Sequence, residues 1–302
     1  TCRCCPCHSA GDWSCGGRGP VVAEPRGREP RTPTTPGAAS VPGPASATVS
    51  GAALGRPAAP VSGPAYYAAG PPTLWRDVRA VLHPPYTAWH LSYVVLGAML
   101  ATRVNWTTLA GTLLAFFLAV GVAAHCLDEL KGRPLGTSLP ARLLAVASVL
   151  ALLGAVVIGA AGVARVGAGL VVFMAVGVVL VLGYNLELFA GRFHSDVVFA
   201  LAWGAFPVLV AAYAEQRALR WSAVVLAAGA ALLSGCQRNL STPARLIRRQ
   251  AILVEGMVTL SDGSEQAIDA SFLVAPLERA LRLLSWAVVA VAVAFALARG
   301  LH

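Results

Sequence analysis

From Thr73 onward the chain is a succession of long apolar runs broken by short polar stretches. A helix that spans a bilayer core takes about 20 mostly apolar residues. The pattern predicts seven such helices, at 86–103, 108–127, 141–161, 164–184, 197–214, 219–236 and 284–300. None carries a strong charge at its middle. Between the sixth and seventh, AILVEGMVTLSDGSEQAI alternates weakly and turns at Asp262-Gly263, which predicts a small hairpin within about 250–270. SFLVAPLERALRLL then reads as an amphipathic lead-in to the last helix. Gly167, Gly169, Gly177 and Gly183 on the fourth run are placed for close helix packing in lipid. The fold expected is all-α, a polytopic transmembrane bundle of about seven spans over 73–302.

Residues 1–72 have a different character. They are built from Pro, Gly, Ala, Ser, Thr and Arg, with Leu54 as the first leucine. Such a composition cannot bury enough apolar surface to offset ordering entropy, and it predicts a disordered tail. Five of the seven cysteines lie in TCRCCPCHSAGDWSC. Overlapping C-x-x-C pairs with His8 have the ligand types of a zinc site, but the second set of pairs that a zinc ribbon uses is absent. The tail has no apolar core of a signal peptide. The chain does not open on Met, and its first is Met99, so it reads as a fragment or as one begun too far upstream.

Composition agrees with the pattern. Hydrophobic residues make up 57% and charged residues 12%, and mean hydropathy is +0.67. Soluble domains carry about 25% charged residues. The formal charge of +9 is not a nucleic-acid surface, because its arginines sit in the tail and at helix ends. Those ends orient the chain. Arg76, Arg79, Lys131, Arg133, Arg142, Arg192, Arg238, Arg245, Arg248 and Arg249 fall on one side. Arg103, Arg165, Arg217, Arg220 and Arg299 fall on the other. The richer side is predicted to be cytoplasmic, which places the N-terminus inside a bacterial-type plasma membrane. Trp106 and Trp221 are expected at the outer boundary, and Trp89 and Trp286 near the inner one.

Chemistry concentrates at the cytoplasmic ends. The second span ends in His125-x-x-Asp128-Glu129, the fourth in Tyr184 and Asn185, and the sixth in SGCQRNLSTPAR with Arg238 and Arg245. His83, Tyr86 and His90 of the first span belong to the same side. Alternate helices finish on one face of the membrane, so these sets converge if the helices form a ring. His125 and Asp128 are three apart and share a helical face. Magnesium takes carboxylate and phosphate oxygens, and arginines hold phosphate bidentately. A carboxylate-and-arginine mouth above an apolar interior suits a diphosphate head with a lipid tail. Lys131 and Arg133 read as anchors at the water's edge.

RAVLHPPYTAWHLSYVVLGAMLA resembles the first helix of the UbiA superfamily of membrane prenyltransferases. LAFFLAVGVAAHCLDELKG is similar to that family's second helix, which ends in N-D-x-x-D-x-x-x-(D or G). Tyr184, then WGAFPVL at 203–209, resembles its fourth and fifth helices. The resemblance covers about residues 76–245. It implies transfer of a prenyl group from an isoprenoid diphosphate to an acceptor, with magnesium held by two aspartate-rich motifs. Carried onto this chain, it gives catalytic roles to Asp128 and Tyr184 and metal contacts to Asp128 and Glu129. His125, Asn185, Arg238 and Arg245 would bind substrate. Ala124 stands at the motif's Asn and His125 at its first Asp, and GCQRNLSTPAR has no carboxylate where the second motif belongs. The family usually has nine spans. Two readings therefore remain: a divergent prenyltransferase, or a non-catalytic protein of the same fold that binds isoprenoid or lipid ligands or serves as a scaffold. An ion-coupled transporter ranks below both, because no span has an Asp, Glu, Lys or Arg at its midplane.

Overall fold

The computed structural model describes residues 63–188 and 190–300, all within one compact unit, Leu54–His302. A short helix, α1 (Leu74–Leu82), precedes seven longer ones. These are α2 (Pro84–Ala98), α3 (Trp106–Leu130), α4 (Ala141–Val166), α5 (Gly169–Asn185), α6 (Asp196–Gln216), α7 (Trp221–Gln250) and α8 (Ala270–Gly300). Five of them, α3, α4, α6, α7 and α8, are long and apolar enough to cross a membrane. The other two fall short of about 20 residues: α5 has 17 and α2 has 15.

The chain reads as an integral membrane protein from its outer surface as well as from helix length. Leu143, Val146, Leu150, Leu153 and Val157 recur at helical spacing along α4, and all are more than half exposed. An apolar stripe of that length is stable where lipid, not water, covers it.

Local chemistry sets the helix starts. Thr73 Oγ1 accepts from the Arg76 amide at the head of α1. Asn105 Oδ1 accepts from Thr107 and Thr108 at the head of α3. Ser195 caps α6 through Val198. Each satisfies an amide that the helix itself leaves free. The hairpin forms between β1 (Gly256–Thr259) and β2 (Glu265–Ile268), antiparallel, with Gly256 opposite Ile268. Its turn uses Gly263 at φ +83°, and Asp262 Oδ1 accepts from the Ser264 amide at 2.9 Å.

Several boundaries differ from the pattern. The amphipathic lead-in is continuous with the last span as the 31-residue α8, and α7 runs on past Pro243 to Gln250. The first span is shorter than 86–103, because the αL residue His83 and then Pro84-Pro85 start α2 and it ends at Ala98. Trp89 is not at an interface: it is fully buried, donating to the Tyr93 hydroxyl. On the fourth span Gly169 packs against the Tyr213 ring of α6, as expected, and two further close approaches, to backbone, lie off that span. A Cβ on Gly97 would fall 3.0 Å from Val208 Cα, and one on Gly204 2.6 Å from the Ala230 carbonyl oxygen. These two glycines let α6 press against α2 on one side and α7 on the other. Pro64, Ala65 and the turn Tyr66–Ala68, assigned by composition to the tail, pack onto the bundle with Tyr67 and Ala68 buried. The two tyrosines supply the apolar area that the rest of that stretch lacks. The disordered-tail and zinc expectations for the segment up to 62 lie outside the described residues.

Two long helices contain π-helical segments, Phe117–Ala124 in α3 and Leu201–Ala205 in α6. Such wide turns recur at ligand sites because they re-aim side chains. Gly204 lies in the second. We expect Gly204→Val to lower the thermal unfolding midpoint of the protein in detergent, by overpacking worth about 1–3 kcal/mol.

α1 is tied to the loop before α4 by Asp77, which is fully buried. Its carboxylate accepts from the Ser138 amide at 2.7 Å and the Ser138 hydroxyl at 2.6 Å, and pairs with Arg76. Burial raises its pKa, but the Ser138 bonds and Arg76 outweigh burial and the net shift is downward. A carboxylate lowered in the folded state stabilises fully above its unfolded pKa of about 3.9 and loses that contribution as the pH falls through the folded value. The stability difference between wild type and Asp77→Asn should therefore be present at pH 6 and shrink below about pH 4. Thermal unfolding of both proteins across that window measures it.

Candidate functional site

A polar cavity of about 260 Å³ opens among the ends of α2, α3, α5 and α7. His125, Asp128, Tyr184, Asn185, Arg238 and Arg245 all line it. Three helices and a π segment bring them there. The α3 π segment hands directly on to His125, whose Nδ1 lies 3.2 Å from the Gly121 carbonyl. Asn185 is buried and donates to the Val181 carbonyl at 2.7 Å, so its amide is partly spent on its own helix. Tyr184 stacks on His194 at 4.5 Å and meets Trp203 edge-on at 5.7 Å.

Glu129 is not among them. It is fully buried, and its carboxylate accepts from the amides of Leu135 and Thr137 at 2.9 Å each and from the Thr137 hydroxyl at 2.8 Å. One position from Asp128 on a helix, it points elsewhere, and it folds the loop after α3 instead of facing the cavity. Lys131 and Arg133 also hold local structure. Lys131 pairs with Glu187 at 2.7 Å, and Arg133 donates to the Thr137 and Leu139 carbonyls.

Four arginines of α7 line the cavity. Arg248 is committed to Glu278 of α8 by a two-pronged bond of 2.7 and 2.6 Å. Arg238 pairs with the exposed Asp196 at 2.8 Å and lies 5.2 Å over the Phe199 ring. Arg249 donates to the Pro64 carbonyl at 3.1 Å, so the segment before α1 covers part of the mouth. Arg245 makes no ion pair among the described residues; its nearest polar partner is Thr242 Oγ1 at 3.4 Å. At the rim, His83 lies against His125 at 4.5 Å and bonds the Tyr67 hydroxyl. Burial, then His125 and the nearby arginines, hold its pKa well below the ordinary histidine value, so it adds no charge. Four guanidiniums thus face two lining carboxylates, Asp128 and Glu278. The lining therefore carries a net positive charge, even with Arg238 paired to Asp196 and Arg248 to Glu278.

It is not built for magnesium. A hard divalent cation takes six or more oxygens, with carboxylates chief among protein donors. Here it would meet one uncommitted carboxylate, Asp128, beside guanidiniums that repel it. Among the described residues no group of three His, Cys, Asp or Glu side chains is placed to hold a metal. The donor set does not fit the ion that the family resemblance implies.

A second cavity, about 560 Å³ and overwhelmingly apolar, runs between α3, α4, α5 and α6. Val120 and Trp203 line both cavities, and each lies in one of the two π segments. Val120 and Trp203 therefore stand between the arginine-lined mouth and the apolar groove, which lie side by side.

Arg249, Glu278, Tyr67 and Phe199 line the mouth but were not picked out from the sequence as site residues. For Arg249 a signal was present. Arg238, Arg245 and Arg249 are spaced by seven and four, which puts all three on one helical stripe. The other three come from distant segments that nothing in the local pattern links to α7.

Glu129→Ala should leave two loop amides unpaired, at a cost of roughly 1–3 kcal/mol for each one that stays buried. Thermal unfolding in detergent measures it. Asp128→Ala, which orphans no such amide, should cost much less.

Compared with known proteins, the chain matches no family model, no curated protein and no solved structure.

Proposed function

We propose that this chain is a divergent UbiA-like membrane protein that binds a phosphorylated isoprenoid or related lipid, with its phosphate at the α7 arginines and its tail in the apolar groove. One observation carries this reading: the polar cavity and the groove share Val120 and Trp203 as walls. A head-and-tail molecule needs a polar and an apolar space side by side, and a small anion does not. The groove's 560 Å³ lies within the ~300–1,000 Å³ of pockets that bury small organic ligands. Arginine is suited to the head, since its planar fork matches phosphate oxygens. On the orientation predicted from the arginines, the head would sit on the cytoplasmic side.

Prenyl transfer from a diphosphate is the second reading. Asp128 and Tyr184, the side chains to which the resemblance gives catalysis, both line the cavity, and Asp128 is not paired with an arginine. The poor fit to magnesium favours binding without transfer.

Farnesyl diphosphate titrated into the purified protein in detergent tests both readings. Saturable binding is expected, equal with magnesium and with a chelator, and weakened at least about tenfold, or 1.4 kcal/mol, by Arg245→Gln. Binding that needs magnesium and is lost in Asp128→Ala would instead favour the transferase. No saturable binding under either condition would sink the ligand-binding reading.

A further inference from the structure

In the lining of the polar cavity, three buried side chains have polar atoms with no hydrogen-bond partner among the described residues. They are His90, at both ring nitrogens, the Tyr184 hydroxyl and Gln237 Oε1. All three line the cavity, and they are only 5%, 5% and 3% exposed. Leaving a buried polar atom unpaired costs free energy, so native structures pair nearly all of them. Three in the lining of one cavity mark it as a place where something else supplies the bonds.

Their chemistry restricts what that is. Gln237 Oε1 only accepts, and a neutral imidazole offers one donor and one acceptor. An ionised phosphate also only accepts, so it can satisfy neither the glutamine oxygen nor the acceptor nitrogen of His90. The missing partner must donate as well as accept, which a hydroxyl does. Aromatic rings enclose the same place: His90 lies 6.3 Å from Phe199 and 6.5 Å from Trp203. Such walls stack against the carbon face of a hydroxylated ring, and Arg238 of the same cavity lies 5.2 Å over the Phe199 ring.

We infer that His90, Tyr184 and Gln237 form a hydroxyl-binding subsite beside the arginines, and that the headgroup preferred here is a phosphorylated polyol or sugar, held more tightly than a bare phosphate. This rests on the proposed anion site and adds a second requirement to it. The arginines hold the phosphate, and the three side chains read the hydroxyls attached to it.

Isothermal titration of the detergent-purified full chain separates the two parts. Methyl phosphate probes the arginines alone, and glucose 1-phosphate probes arginines and subsite together. The wild type should bind glucose 1-phosphate about tenfold more tightly, on the scale of one net hydrogen bond. Tyr184→Phe and Gln237→Leu should each reduce that advantage and leave methyl phosphate binding unchanged. Tyr184→Phe removes only an oxygen, and an unaltered unfolding midpoint shows that it folds. Arg245→Gln should weaken both ligands. Equal affinity for the two phosphates in the wild type overturns the subsite and leaves the anion site standing, whereas binding of neither overturns both. Glucose binding as tightly as glucose 1-phosphate also overturns the inference, since the hydroxyls would then belong to a separate ligand.

Discussion

A bilayer core offers no water to a backbone group whose helical bond is broken, so an irregular turn in a spanning helix has to face protein or a cavity. The molecule is organised around that constraint. Its two π segments, in α3 and α6, both turn inward, and Val120 and Trp203 on them stand between the polar cavity and the apolar groove. Gly204 lets the second segment sit directly against α7, and Gly97 lets α6 sit against α2. With those approaches made, His90 of α2, Gln237 of α7 and Tyr184 of α5 reach one space.

The charges divide by the same logic. Asp77 is consumed by Ser138 and Arg76, and Glu129 by loop amides and the Thr137 hydroxyl, which lets both be buried without a ligand. Arg248 and Glu278 neutralise each other between α7 and α8. Arg245 and Asp128 are left uncommitted in the cavity, together with the unpartnered atoms of its lining. The proposed site for an anion with attached hydroxyls rests on what is unpaired as well as on what is charged.

Much of the cavity could be read in advance. His125, Asp128, Tyr184, Asn185, Arg238 and Arg245 are polar ends of apolar helices, and helices of alternating direction bring such ends to one face. Glu129 could not be separated from Asp128, since two adjacent acids look alike until a loop folds back onto one of them. Trp89 was misplaced for a related reason. A tryptophan near a helix end looks interfacial, yet Tyr93 one turn on accepts its N–H and lets the pair be buried.

The sequence alone determined that this is a helical membrane protein and where its hairpin turns, because span length, apolar content and the Asp-Gly turn are local properties. It also determined which end of the bundle carries the polar side chains. Only the tertiary structure decided which polar groups are spent on each other and which are left over, and that the arginine mouth lies beside an apolar groove. Those outcomes depend on two π turns and two glycine contacts between helices far apart in the chain, and a 3.6-residue pattern has no means of announcing either.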